Sequence, residues 1–150
     1  MTRHLIAGLF AVAMLAFVAA PALAAGPVNK TLLGNAIDGY DPVAWHLLGE
    51  PVEGSKDLTH EWMGATWRFA NAEHRDLFAA DPERYAPAYG GYCAYGVAQG
   101  AKVGFNPDSW EIVGDRLYLN LNPGIQKKWQ KDIAGFISKA DRNWKRLKNR

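Results

Sequence analysis

The sequence contains a single cysteine, Cys93, so no disulfide within the chain can stabilise the fold. It also lacks internal repeats and low-complexity tracts, which argues against a repeat protein or an extended disordered segment. Hydrophobic residues stay plentiful throughout, and all six tryptophans lie beyond residue 24. We therefore expect a folded domain that is held together by the packing of its aromatic side chains.

Signatures of several enzyme classes are absent as well. The chain has no Gly-x-Ser-x-Gly nucleophile elbow, no phosphate-binding loop, no dinucleotide fingerprint and no His-Glu-x-x-His. Acidic residues such as Glu50 and Glu53 lie in turn-rich segments, where a solvated surface is the ordinary interpretation. This pattern favours a protein that is not a catalyst.

The start of the chain has the pattern of an export signal. Arg3 and His4 precede an apolar run at residues 5–20, and Ala-Leu-Ala follows a proline at the position where signal peptidase cuts. The run is short for a bilayer core of roughly 30 Å, which argues against a membrane anchor. We expect a cleaved Sec-type signal peptide at residues 1–24, a single domain at residues 25–150, a periplasmic location and no stable membrane insertion after cleavage.

Charge is unevenly distributed along the chain. Residues 127–150 carry nine Lys or Arg against two Asp, whereas residues 25–126 carry seven basic and thirteen acidic side chains. Nucleic acid is not an expected partner for an exported protein, so a solvated helix face that complements the acidic part of the chain is the preferred interpretation.

Turn and capping signals predict short elements separated by tight breaks. The predicted elements are a helix at 42–48, a hairpin formed by 58–63 and 65–70 around Gly64, a helix capped by Asn71 and ending near Ala80, a helix at 92–98, and a hairpin formed by 110–113 and 116–121. The predicted fold class is α+β, with small antiparallel β-hairpins packed against short helices and a long amphipathic C-terminal helix.

The last predicted helix opens at Asn122-Pro123 and carries a stripe of apolar residues with a period of 3.6. The stripe consists of Ile125, Trp129, Ile133, Phe136, Ile137, Ala140, Trp144 and Leu147. It must be buried, either against the sheets of the same chain or against a protein partner or second subunit. Gly135 is a position where this helix could bend.

The surroundings of Cys93 are the most specific part of the chain. Residues 81–100 hold the cysteine among four tyrosines and four glycines. A helix that begins near Tyr92 would lower the pKa of the thiol, whereas an unpaired cysteine is also commonly a buried apolar residue. Cys93 is thus a core residue, a metal ligand or a reactive group, and the candidate pocket residues around it are Tyr92, Tyr95, Gly90 and Gly91.

Metal binding would require Cys93 to meet other ligands through the tertiary structure, because no His-x-x-x-His or Cys-x-x-Cys spacing occurs. Thiolate and imidazole together suit copper or another transition metal. His60 and Met63 differ by an odd number of residues on a predicted strand, so they should point to opposite faces. The predicted metal site is Cys93 with His60 and His74, although His74, near the start of its helix, is expected to be exposed.

Several spaced motifs resemble the YHS domain, in particular its extended form in exported bacterial proteins. These motifs are Asp41-Pro42-Val43, Gly64-Ala65-Thr66-Trp67-Arg68-Phe69, Phe78, Asp81-Pro82-Glu83-Arg84-Tyr85, Gly90-Gly91-Tyr92-Cys93-Ala94 and Leu117-Tyr118-Leu119-Asn120. The resemblance implies a small α+β fold related to metal-sensing and metal-trafficking domains. The cysteines of the metal-binding members are replaced here by Ala44, Ala70 and His74, so the zinc site of those members cannot form.

Three functional hypotheses follow from the sequence. The first is a small non-catalytic periplasmic binding module, with copper or another transition metal held by Cys93 and histidine. The second is a structural or protein-interaction domain with a buried Cys93, no metal and a complex that depends on Trp144. The third is a thiol-dependent enzyme, for which no oxyanion hole or orienting residue is visible.

Overall fold

The computed structural model describes residues 26–150, so the predicted signal peptide lies outside the described residues. In chain order, the elements are α1 (Pro42–Leu47), β1 (Ser55–Trp62), β2 (Ala65–Phe69), α2 (Ala72–Ala80), α3 (Pro82–Tyr85), α4 (Ala94–Ala98), β3 (Asn106–Val113), β4 (Arg116–Asn120), α5 (Pro123–Gln130) and α6 (Ile133–Leu147). Each β-strand pairs with its neighbour in the chain to form a two-stranded antiparallel sheet. The predicted α+β class is confirmed.

The first hairpin joins β1 to β2 around Gly64, as predicted. Trp62 pairs with Ala65, and the two turn residues between them, Met63 and Gly64, have φ angles of 52° and 71°. Met63 therefore lies in the turn and not on the strand. The prediction that Met63 and His60 point to opposite faces of one strand is wrong for this reason.

The second hairpin joins β3 to β4 and lies between two hydrophobic cores. Leu117 and Leu119 belong to the first core, whereas Tyr118 between them belongs to the second. Because side chains alternate between the two faces of a strand, β4 contributes to both cores at once. This explains why four consecutive β4 residues, Leu117 to Asn120, are buried.

The first core is built from the β1–β2 hairpin, α1 and α2. Phe78 on α2 lies at its centre, with its ring centroid 5.0 Å from that of Trp67 and 5.2 Å from that of Phe69. All three side chains are fully buried. Aromatic packing of this kind stabilises the fold in the absence of an intrachain disulfide, as the composition predicted.

The second core is built from α4, α5 and α6. Trp129 on α5 and Ala140 on α6 are fully buried, and Ile133, Phe136, Ile137 and Trp144 are half-buried against the same cluster. The apolar stripe of the C-terminal segment is therefore packed largely within its own chain. No helix among residues 26–150 is long and apolar enough to cross a membrane.

The predicted amphipathic C-terminal helix is present as α6, but it begins at Ile133, and the expectation that it opens at Asn122-Pro123 is wrong. The chain breaks between α5 and α6, where Asp132 adopts a φ of −155° and its Oδ1 accepts a hydrogen bond of 3.0 Å from the backbone N–H of Gly135. Asp132 is thus the N-cap of a new helix. Gly135, which the sequence suggested as a bend, lies in the first turn of α6, where a Cβ would overlap the Asp132 carboxylate.

Candidate functional site

Cys93 is the N-cap of α4 and only 1% of its surface is exposed. The predicted helix start at Tyr92 is therefore too early by two residues. The sulfur accepts a hydrogen bond of 3.4 Å from the backbone N–H of Gly96 and lies 3.6 Å from Oδ1 of the buried Asn120. Burial raises the pKa of the Cys93 thiol, and the neighbouring backbone N–H groups offset this only in part. The structure thus favours a protonated core residue over a reactive thiolate.

We expect Cys93 to be unreactive in the folded protein. At about pH 8 an aromatic disulfide reagent should modify it at least about 100-fold more slowly than after unfolding in guanidinium, because the reacting thiolate is both scarce and shielded. The rate is measured from the absorbance of the released aromatic thiolate. The control is the exposed thiol introduced by Ser138→Cys in a Cys93→Ala background, measured in the same way. Equal rates for these two thiols would contradict the buried assignment.

His74 is buried, with 5% of its surface exposed, so the expectation of an exposed side chain is wrong. Its Nδ1 lies 2.5 Å from Oδ2 of Asp41, which is fully buried. The same carboxylate accepts hydrogen bonds of 2.9 Å from the backbone N–H groups of Val43 and Ala70. Asp41 therefore links the start of α1, the end of β2 and the first turn of α2, which is a structural role.

The three predicted metal ligands do not form one site. His60 faces the first core, where its ring lies 6.1 Å from that of Phe78, whereas His74 is paired with Asp41 and Cys93 lies beside Asn120. Within the described part of the chain, no group of three or more His, Cys, Asp or Glu residues is placed to hold a metal ion. Transition-metal binding through Cys93 stays a prediction from sequence.

The glycine pair before Cys93 lets two other parts of the chain come close to its backbone. Gly90 and Gly91 have φ angles of 62° and 88°. A Cβ on Gly90 would overlap the carbonyl oxygen of Pro27, and one on Gly91 would overlap the Ile37 side chain. The segment that follows residue 26 thus lies directly on this turn, and the Asn29 N–H donates to the Gly90 carbonyl at 2.9 Å.

A cleft of about 390 Å³ opens where this N-terminal segment, the two cores and α6 meet. The aromatic side chains that line the cleft are Trp62 from β1, Tyr89 from the turn before Cys93, and Trp144 from α6. Gly90 is the one predicted pocket residue in the lining. Tyr92 packs against Trp144 and Tyr95 against Phe136 outside the cleft.

The charged residues of the lining are two cations, Arg116 and Lys148, and one carboxylate, Glu83. The Arg116 guanidinium lies 5.2 Å from the centre of the Tyr89 ring and 3.5 Å from the Asp141 carboxylate. Tyr89 donates its hydroxyl to Asp141 at 2.9 Å, and burial together with this carboxylate raises the pKa of the phenol. Tyr89 is therefore held neutral and fixed, whereas the Arg116–Asp141 contact is long and belongs to a half-exposed pair.

The sequence did not indicate this cleft. Its lining comes from residues 27, 28, 62, 63, 83, 86, 87, 89, 90, 116, 144 and 148, and only those from 83 to 90 belong to the cysteine-containing segment 81–100. The tryptophans were correctly expected to be packing residues, but partial exposure of two of them at one opening depends on how the cores meet.

No protein-family model, curated protein or solved structure matches the chain.

Proposed function

We propose that this protein is a small non-catalytic binding module, acting in the periplasm, whose ligand is a compact aromatic anion held in the cleft. The observation that carries the proposal is the combination of three aromatic rings with Arg116 and Lys148 around one opening. Ligand sites commonly combine an apolar or aromatic lining with a few polar groups that fix orientation. The volume of the cleft suits a ligand of one or two fused rings.

Arg116 is the group that would recognise the anion. Its 3.5 Å contact with Asp141 joins side chains that are 43% and 50% exposed, and such surface pairs contribute little stability. A guanidinium with so long a contact to its carboxylate partner can donate two parallel hydrogen bonds to a ligand carboxylate. Its stacking over Tyr89 keeps the group in place while the partner changes.

The geometry favours binding over catalysis. Cys93, the one thiol among the described residues, does not line the cleft, and its sulfur is directed towards Asn120. Glu83 is the lone carboxylate among the lining residues, so no pair of carboxylates faces the cleft. The proposal therefore keeps the binding role expected from the sequence and replaces the metal ligand with an organic anion.

We expect Arg116→Gln to weaken binding of an aromatic carboxylate by about tenfold or more, which is the usual effect of losing one charged hydrogen-bond donor. Isothermal titration with 2-naphthoate measures this effect. The neutral 2-naphthamide serves as the matched ligand and should bind the native protein more weakly than the acid does.

Arg75→Gln is the control variant for this experiment. Arg75 also pairs with a neighbouring aspartate, Asp76, but it does not line the cleft. It should leave the affinity for naphthoate unchanged. Equal binding of the acid and the amide, or an equal loss in the two arginine variants, would overturn the proposal.

A further inference from the structure

Three large apolar side chains project from two neighbouring turns into solvent. Leu32 and Leu33 have relative exposures of 107% and 88%, and Met63 has 52%. Leu32 and Leu33 lie in the turn that follows the bridge partner Lys30, and Met63 lies in the turn between β1 and β2. We call these three residues the apolar tip. Leucines exposed to this degree contribute nothing to the packing of either core.

The two turns that form the apolar tip are fixed to each other by backbone and side-chain hydrogen bonds. The Thr66 N–H donates to the Gly34 carbonyl at 2.9 Å, and the Lys30 ammonium donates to the Gly64 carbonyl at 2.9 Å. The leucine turn is also closed internally, since the Thr31 N–H donates to the Asn35 carbonyl at 3.0 Å. The apolar tip is thus presented on ordered backbone, and inserting it elsewhere would cost little further conformational entropy.

The size of the apolar tip decides between a protein partner and a lipid surface. Two fully exposed leucines and a half-exposed methionine offer roughly 200–300 Å² of apolar surface, at about 60–120 Å² for each side chain. A stable protein interface buries about 800 Å² on each partner, so the tip is too small for a stable dimer by itself. A bilayer requires no complementary surface, and it accepts a small convex apolar projection.

The positive charges around the apolar tip also favour a lipid surface as its partner. Lys30 lies directly beside it, and Met63 also lines the cleft that holds Arg116 and Lys148. The Glu61 carboxylate at the end of β1 accepts a hydrogen bond of 2.6 Å from the Thr66 hydroxyl, which fixes its position and leaves its charge in place. Cations beside an inserted apolar group add attraction to anionic headgroups.

We propose that the apolar tip inserts reversibly into the interface of an anionic lipid bilayer and holds this otherwise water-exposed protein at the membrane surface. Few apolar groups are involved, so the binding is weak and depends on both insertion and charge. This proposal concerns a surface that adjoins the cleft through Met63, and it does not require a ligand in the cleft.

Vesicle flotation of the protein isolated after export tests the proposal. We expect partition onto vesicles that contain about one third anionic lipid, with weaker partition onto zwitterionic vesicles. Leu32→Ser with Leu33→Ser should lower the partition coefficient by about tenfold or more. Both leucines are exposed, so the midpoint of chemical unfolding should not change, and this separates loss of binding from loss of folding.

The chain contains a matched control pair. Leu47 and Leu48 are also adjacent and exposed, at 52% and 55%, but they lie at the end of α1. Their replacement by serine should leave partition unchanged. A polarity-sensitive dye on the thiol introduced by Leu33→Cys should shift to the blue on vesicles, whereas the same dye introduced by Leu48→Cys should not, with Cys93 too buried to compete for the label.

Three results would overturn the proposal. One is the absence of partition by the native protein onto either kind of vesicle. Another is an equal loss of partition in the two serine double variants, which would indicate general stickiness. The last is a concentration-dependent dimer in light scattering that Leu32→Ser with Leu33→Ser abolishes, because the partner of the tip would then be a second copy of the chain.

Discussion

Replacing Asp41 with alanine should lower the free energy of unfolding by about 3–5 kcal/mol, which is a large share of the stability of a domain of this size. The carboxylate is fully buried and accepts hydrogen bonds from Val43, Ala70 and His74. Alanine leaves all three donors without a partner. Each donor that stays buried and unpaired costs about 1–3 kcal/mol before the structure relaxes. Chemical unfolding followed by tryptophan fluorescence measures the change.

Asp132→Ala provides the matched control for Asp41→Ala. Asp132 also caps a helix through a backbone N–H, but it is exposed to solvent. Water can replace its hydrogen bond, so the expected cost is about 1 kcal/mol. A double-mutant cycle between Asp41 and His74 then isolates their contact. Equal costs at Asp41 and Asp132, with no coupling to His74, would show that Asp41 is only an ordinary helix cap.

Gly90→Ala should cost about 2–5 kcal/mol, and it should release the N-terminal segment from the body of the protein. Two effects add at this position. The φ of 62° is unfavourable for any residue with a Cβ, and that Cβ would meet the Pro27 carbonyl, with the carbonyl carbon at 2.8 Å. The segment can move away only by losing the hydrogen bond from the Asn29 N–H to the Gly90 carbonyl.

Gly64→Ala separates these two effects. Gly64 has a similar φ of 71°, but nothing lies within 4 Å of the position that a Cβ would take. Its expected cost is about 1 kcal/mol, from backbone strain alone. Hydrogen exchange should show fast exchange of the Asn29 amide in Gly90→Ala and native protection in Gly64→Ala. Equal costs for the two variants would mean that the close approach of Pro27 contributes nothing.

Elements whose signals are local were predicted well. The helix capped by Asn71 extends from Ala72 to Ala80 as expected, because an N-cap and a following Asp-Pro define both of its ends. The hairpins around Gly64 and around Gly114-Asp115 are also present, since positive φ angles restrict the residues that can occupy such turns. The error at α5 and α6 arose because Asp132 competes locally with a helix that the apolar period alone would continue.

The candidate site was predicted poorly, for a reason that concerns distance along the chain. His74 was expected at the surface because nothing near it indicates that Asp41, thirty-three residues earlier, supplies a buried carboxylate. The cleft combines Trp62, Arg116 and Trp144 with the segment at residue 27, and no local pattern connects them. Of the predicted pocket residues, Gly90 was identified through its backbone freedom and not through any ligand contact.

The sequence by itself determined that this chain is an α+β protein without disulfides, organised by caps, turns and aromatic residues, because those properties depend on neighbours within a few positions. Only the tertiary structure decided that Cys93 is buried, that Asp41 binds His74, and that the aromatic cleft and the exposed leucines exist. The physical reason is that burial and hydrogen-bond partners depend on which surfaces meet after folding. Residues far apart in the chain supply both sides of such contacts, so no local pattern contains them.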